Sequence, residues 1–259
     1  MTGSAGVMAL VLAESVAGSL AFLWCTPLWR EVKRGYFTLT GVIVTIVAFA
    51  AWRAAAAGAI AGDDAGTWSV RLTLASVIVT ATWTALQLVK RNTVARGVGF
   101  LSVPVAIAAL VAMVATGRQS EALALFELVA GAAFLGSVLD GLLLGHWYLT
   151  DRGLSRAPID RATRIMLVAV LLEAIAVIAG GFSGVGSSEA FNPLLTAGAL
   201  APWIALGMVT ATGLIAVMVK ATLRGTRASA VQSATGFFYL AVVTAFTAEV
   251  AVKVRFLPG

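Results

Sequence analysis

The chain has 259 residues, of which 60% are hydrophobic and 12% charged, against about 25% charged in a soluble domain. A single soluble core of this length cannot hide so much apolar surface, so the bilayer takes the place of water. The net charge of +6 is no nucleic-acid footprint, because the basic residues sit in short loops between apolar runs, where membrane topology explains them.

The opening "MTGSAG" has no basic stretch of the kind that starts a signal peptide, so the first apolar run is expected to remain as a span. A span needs about 20 mostly apolar residues. Eight runs qualify: 6–27, 37–57, 68–89, 98–116, 122–149, 165–181, 195–219 and 230–252. The fifth is long enough to tilt or project. Pro158 suits the first turn of the helix that leads into span six. Pro104 and Pro202 are the places where a span is most open to a break. The predicted fold is all-α, with no soluble domain.

Lys and Arg set the expected orientation. Of the 18 basic residues, 13 fall in one set of connections: Arg30, Lys33, Arg34, Lys90, Arg91, Arg96, Arg152, Arg156, Arg161, Arg164, Lys220, Arg224 and Arg227. That side is expected to be cytoplasmic. Both termini then face outward from a plasma or inner membrane. Lys90 and Lys220 are expected to snorkel to the inner surface, and Trp52 with Arg53 to anchor the outer one.

Short matches suggest a duplication. "ESVAG" from Glu14 is matched by "ELVAG" from Glu127, in spans one and five. "VTAT" occurs at Val79 in span three and at Val209 in span seven, each followed at the same distance by a lysine. Gly99-Phe100 is matched by Gly236-Phe237. The offsets, 113, 130 and 137, grow in order, as insertions into the second half require. Two four-helix bundles are expected, residues 1–117 and 118–259. Four spans per half is an even number, so the repeat is parallel.

A carboxylate near the membrane centre costs about 2.5–3.5 kcal/mol and needs a partner or a wet cavity. Glu14, Asp140 and Glu173 qualify by depth, and Glu127 is the repeat mate of Glu14. Each Glu either carries protons or a ligand, or packs as a structural acceptor beside the small residues that follow it. Arg71 is a candidate partner for Glu14 or Glu127. Glu249, near the outer end of span eight, is four residues from Lys253 and positioned to pair with it. Glu173 has neither a mate nor a local cation.

The densest constellation is "GSVLDGLLLGHWYLT", residues 136–150. Asp140 and His146 are about 240° apart on an unbroken helix and do not meet there. Gly141 and Gly145 permit a bend or a close neighbour. His146, Trp147 and Tyr148 lie near the inner interface, either as an aromatic belt or, with Asp140 and helped by Glu173 of span six, as the border of a quinone headgroup site. One cysteine and one histidine exclude an internal disulfide, a haem held by two histidines, an iron–sulfur cluster and a zinc set within the chain. Cys25 reads as a small buried residue.

In layout, eight spans in two bundles with Glu14, Asp140, His146 and Tyr148 as the polar side chains, the chain resembles the NrfD/DmsC/PsrC type of quinone-reactive membrane anchor subunit. That resemblance implies a subunit of a respiratory oxidoreductase that binds quinone without a redox cofactor of its own. It also implies other subunits as partners, an iron–sulfur protein among them. Two readings stay open beside it: an ion-coupled transporter, and a non-catalytic scaffold or accessory subunit.

Overall fold

Inside a bilayer each backbone amide must find its partner within the protein, which leaves apolar segments of this length to form helices. The computed structural model describes residues 1–60, 62–117, 120–151, 153–181, 200–225 and 228–256. Its helices are α1 (Gly3–Cys25), α2 (Leu28–Glu31), α3 (Arg34–Gly58), α4 (Asp64–Leu88), α5 (Asn92–Val114), α6 (Glu121–Thr150), α7 (Ala157–Gly181), α8 (Ala201–Leu223) and α9 (Ala228–Phe256). All except the single turn α2 are long and apolar enough to cross a membrane. A 23-residue helix such as α1 is about 35 Å long, enough to span with room to spare. Helix α5 runs through Pro104, and Pro202 sits in the first turn of α8, so neither proline breaks a span.

The helices form two rings. Helix α1 packs on α3 and α5, and α4 closes that ring by touching both of them; α6 packs on α7 and α9, and α8 closes the second. The rings join mainly through α1 and α6. Helix α1 is accordingly buried along nearly its whole length, whereas the outer helices bury one stripe and turn residues such as Ile46, Ile78, Leu171 and Leu214 outward. The joint depends on glycine. A Cβ at Gly18 would lie 1.8 Å from the Ala132 carbonyl oxygen, and one at Gly136 would lie 2.2 Å from the Gly18 carbonyl carbon. Backbone therefore meets backbone at the small-xxx-small pair Ala132 and Gly136.

The "VTAT" copies do not present the same face. Thr80 is buried and Thr210 is exposed, while Thr212 is buried and meets Thr244 of α9 at 2.7 Å.

With eight crossings the two ends of the chain come to one face. There the Met1 amino group reaches Asp63 at 3.5 Å, and the Thr2 amide donates to the Gly58 carbonyl. We call this the terminal face. At the opposite, basic face Lys33 pairs with Asp151 at 3.0 Å. Arg161 forks onto both oxygens of Glu31 at 2.8 Å. Those two hydrogen bonds hold the Glu31 carboxyl below the usual carboxylate range. Cys25, expected in the interior, is exposed at this end, because α1 stops there and its last turn leaves the packed core.

Candidate functional site

Glu14 sits midway along α1, where the helix is sealed on all sides by its neighbours. Its carboxyl is paired: the Lys253 ammonium lies 2.8 Å from Glu14 Oε1 and 3.2 Å from Glu249 Oε2, and all three residues are fully buried. Helix geometry explains how a lysine one turn from the end of α9 reaches so deep. Side chains lean toward the N-terminus of their own helix, and α9 runs toward the terminal face. Lys253 therefore points back into the membrane, the reverse of snorkelling. The Phe256 ring, 5.8 Å from the ammonium, covers it from the terminal side.

Gly131 makes the meeting of carboxyls possible. A Cβ there would lie 2.6 Å from Glu14 Oε1 and 2.9 Å from Glu249 Oε2. Helix α7 adds Glu173, fully buried and facing Glu249. Glu127 of α6 is buried too, and its charge acts on the Lys253 ammonium. Among the described residues, helices α1, α6, α7 and α9 thus bring four carboxyls within electrostatic reach of the Lys253 ammonium.

Three sequence candidates, Glu14, Glu127 and Glu173, belong to this cluster. The expected pairing of Glu249 with Lys253 is present, yet it lies inside the protein rather than at its rim. One expectation is corrected. Arg71 does not serve Glu14; its guanidinium lies 5.5 Å from the Trp68 ring on its own helix, because α4 is not among the helices packed on Glu14's side of the cluster. Glu173 does have a cation within electrostatic reach, Lys253, supplied by a helix far away in sequence.

Asp140 belongs to a second polar group, nearer the basic face. It lies beside the Ser19 hydroxyl of α1, and its charge acts on Tyr36 of α3, which has Thr40 one turn on. All except Tyr36 carry only small or acidic side chains, and all four residues are buried. Their side-chain oxygens make no tight hydrogen bond to a described group. Ser19 is five residues from Glu14, about 7.5 Å along the axis and on a different side of α1.

His146 and Tyr148 are elsewhere. His146 is exposed, with Nδ1 3.0 Å from the Tyr239 hydroxyl. The Tyr148 hydroxyl donates to the Ser155 carbonyl. Helix α6 is unbroken through this stretch, so the 240° separation of Asp140 and His146 holds. The space beside Gly141 is filled by the Phe238 ring, and that beside Gly145 by Thr235. Trp147 packs over Gly35 and against Tyr36.

Cavities lie outside these clusters as well. An apolar groove of about 350 Å³ runs between α1, α5 and α6, past Phe22, Leu110, Leu128, Ala132 and Ser137. A smaller cavity of about 210 Å³ opens at the basic face among Trp24, Trp29, Arg34, Gln87 and Arg96. Among the described residues no group of His, Cys, Asp and Glu is arranged to hold a metal ion. Comparison with family models, with characterised proteins and with solved structures finds no match to this chain.

Proposed function

We propose that the chain is a proton-translocating membrane carrier in which Glu14, Glu173, Glu249 and Lys253 hold the transported proton. The observation behind this is that, among the described residues, three buried carboxyls, Glu14, Glu173 and Glu249, meet the single ammonium of Lys253 at the centre of a membrane bundle. One ammonium balances one carboxylate. An unbalanced buried charge is costly, so the remaining carboxyls carry protons, and protons held there are available for exchange. The Asp140 group gives the same proton a second station toward the basic face, and the tight α1–α6 seam separates the two. On the same reading the basic face is cytoplasmic, and the two rings descend from a duplicated four-helix unit, with Glu14 and Glu127 as mates.

The test uses the whole chain in vesicles carrying an internal pH indicator, with a potassium diffusion potential as driving force. Wild-type protein should acidify the vesicles faster than protein-free controls. Glu14→Gln and Asp140→Asn should each slow this about tenfold, the effect of roughly 1.4 kcal/mol on a barrier. His146→Phe should leave the rate unchanged. Infrared spectra should show a protonated-carboxyl band that Glu14→Gln or Glu173→Gln diminishes. Wild-type vesicles no faster than controls, with no such band, would sink the proposal.

A second reading, the quinone-reactive subunit of a respiratory complex, is favoured by the apolar groove beside α6. Ser137, one turn before Asp140, lines it, and its walls suit an isoprenoid chain. Quinone extracted in stoichiometric amount from purified protein, with an iron–sulfur partner copurifying, would choose that reading over the first.

A further inference from the structure

The cavity at the basic mouth of the first ring takes no part in the proton chemistry, and five elements build it. Trp24 ends α1, Trp29 lies on α2, Arg34 opens α3, Gln87 closes α4, and Asn92 and Arg96 begin α5. We infer that this cavity binds a phosphate ester bearing a free hydroxyl, of the kind an anionic phosphoglycerol headgroup presents at the membrane surface.

The lining is rich in donors. Arg34 and Arg96 have no acidic partner among the described residues, and no carboxylate lines the cavity. Two guanidiniums and an indole N–H around 210 Å³ of space suit an anion with several acceptor oxygens, and phosphate, which the guanidinium fork matches in geometry, has more of them than a carboxylate. Among the described residues, two buried polar atoms at the cavity lack partners. Trp24 Nε1 is a donor with no acceptor, and Gln87 Oε1 is an acceptor with no donor; the residues are 4% and 6% exposed. The indole suits a phosphate oxygen, whereas the Gln87 oxygen calls for a donor, which a glycerol hydroxyl supplies and an ionised phosphate oxygen does not.

The walls are also fixed in advance. The Trp24 ring is wedged between Phe37 at 5.6 Å, Trp83 at 5.6 Å and Phe100 at 4.9 Å. It lies against Gly99, where a Cβ would come within 2.0 Å of it. Arg96 stacks on Trp29 at 4.5 Å, with Arg30 stacked on the same ring at 4.3 Å. A stacked guanidinium gives up less freedom when it binds an anion, so the cost of ordering is met before the ligand arrives.

The experiment measures binding of dihexanoyl phosphatidylglycerol to the detergent-solubilised full chain by native mass spectrometry. Dihexanoyl phosphatidylcholine, glycerol 1-phosphate and inorganic phosphate serve as comparisons. Wild-type protein should bind the phosphatidylglycerol saturably and more tightly than the phosphatidylcholine. Arg34→Gln with Arg96→Gln should weaken binding at least about tenfold. Gln87→Leu and Trp24→Phe, which leave the charges in place, should each weaken it severalfold. Lys220→Gln, a basic residue of the second ring, should not. Competition by glycerol 1-phosphate assigns the site to a soluble ester, and its absence to the lipid-borne one; both outcomes uphold the phosphate chemistry. Unchanged affinity in the folded arginine double variant, or in both Gln87→Leu and Trp24→Phe should the double variant not fold, would overturn the inference. Equal binding of phosphatidylcholine would overturn it as well.

Discussion

Lys253 ties Glu14 to Glu249, and its removal exposes what the pair is worth. Lys253→Met keeps much of the side chain's bulk and deletes the ammonium. Two carboxyls then face each other across Gly131 with no cation between them. Breaking a buried pair from one side costs about 3–5 kcal/mol. The variant should show a clearly lower thermal midpoint in detergent than wild type, and adding Glu14→Gln should recover part of the loss. An unchanged midpoint in Lys253→Met would show that the ammonium does not hold the cluster. At this scale the sequence was partly readable. The four-residue spacing of Glu249 and Lys253 announced their pairing, and the depth of Glu14 announced a buried partner. The identity of that partner was hidden, because Glu14 and Lys253 lie on helices at opposite ends of the sequence and nothing in local spacing relates them. Arg71 was the nearer cation by depth alone, and depth does not say which way a side chain faces.

The helices themselves were the most legible part, since bilayer thickness dictates how long an apolar run must be. The expected span 122–149 became Glu121–Thr150, and 6–27 became Gly3–Cys25. The expected start of span seven, 195–200, lies almost wholly outside the described residues. The short turn α2 was not foreseen, because one turn carries no periodic signal. Neighbour relations were hidden for a physical reason: α1 and α6 are apolar all round, so no stripe announces which face meets which helix. Their glycines held the missing information. Gly18→Val should part α1 from α6, because its side chain would overlap the Ala132 carbonyl. We expect a loss of folded yield on gel filtration far beyond that of Gly97→Val, a position where an added Cβ meets nothing. Equal yields would show that the two backbones are not in contact.

At the scale of the molecule, two rings share one cluster, and the basic face sets the orientation expected of both. Alkaline phosphatase fused after Gly259 should be active and green fluorescent protein at the same place dark, since both termini are expected outside. The opposite pattern would reverse the orientation read from the basic loops. The constellation that drew most attention in the sequence, Asp140 with His146 and Tyr148, is dispersed over three surroundings in the structure. Residues within ten positions on one helix look adjacent in print, although a 3.6-residue period scatters them around the axis. The cavity at the basic mouth escaped notice for the converse reason, as its residues come from five elements and form no motif.

The link between Glu14 and Lys253 also bears on how the protein is made. Roughly 240 residues separate the two. Chains emerge from the ribosome N-terminal part first, so α1 enters the membrane long before α9 exists. Through that interval Glu14 has no ammonium to meet and must cross the insertion machinery as a neutral acid or remain in a wet environment. The ring of α1, α3, α4 and α5 therefore exists while Glu14 at its edge is still unpaired, and arrival of α9 is the event that supplies the missing charge.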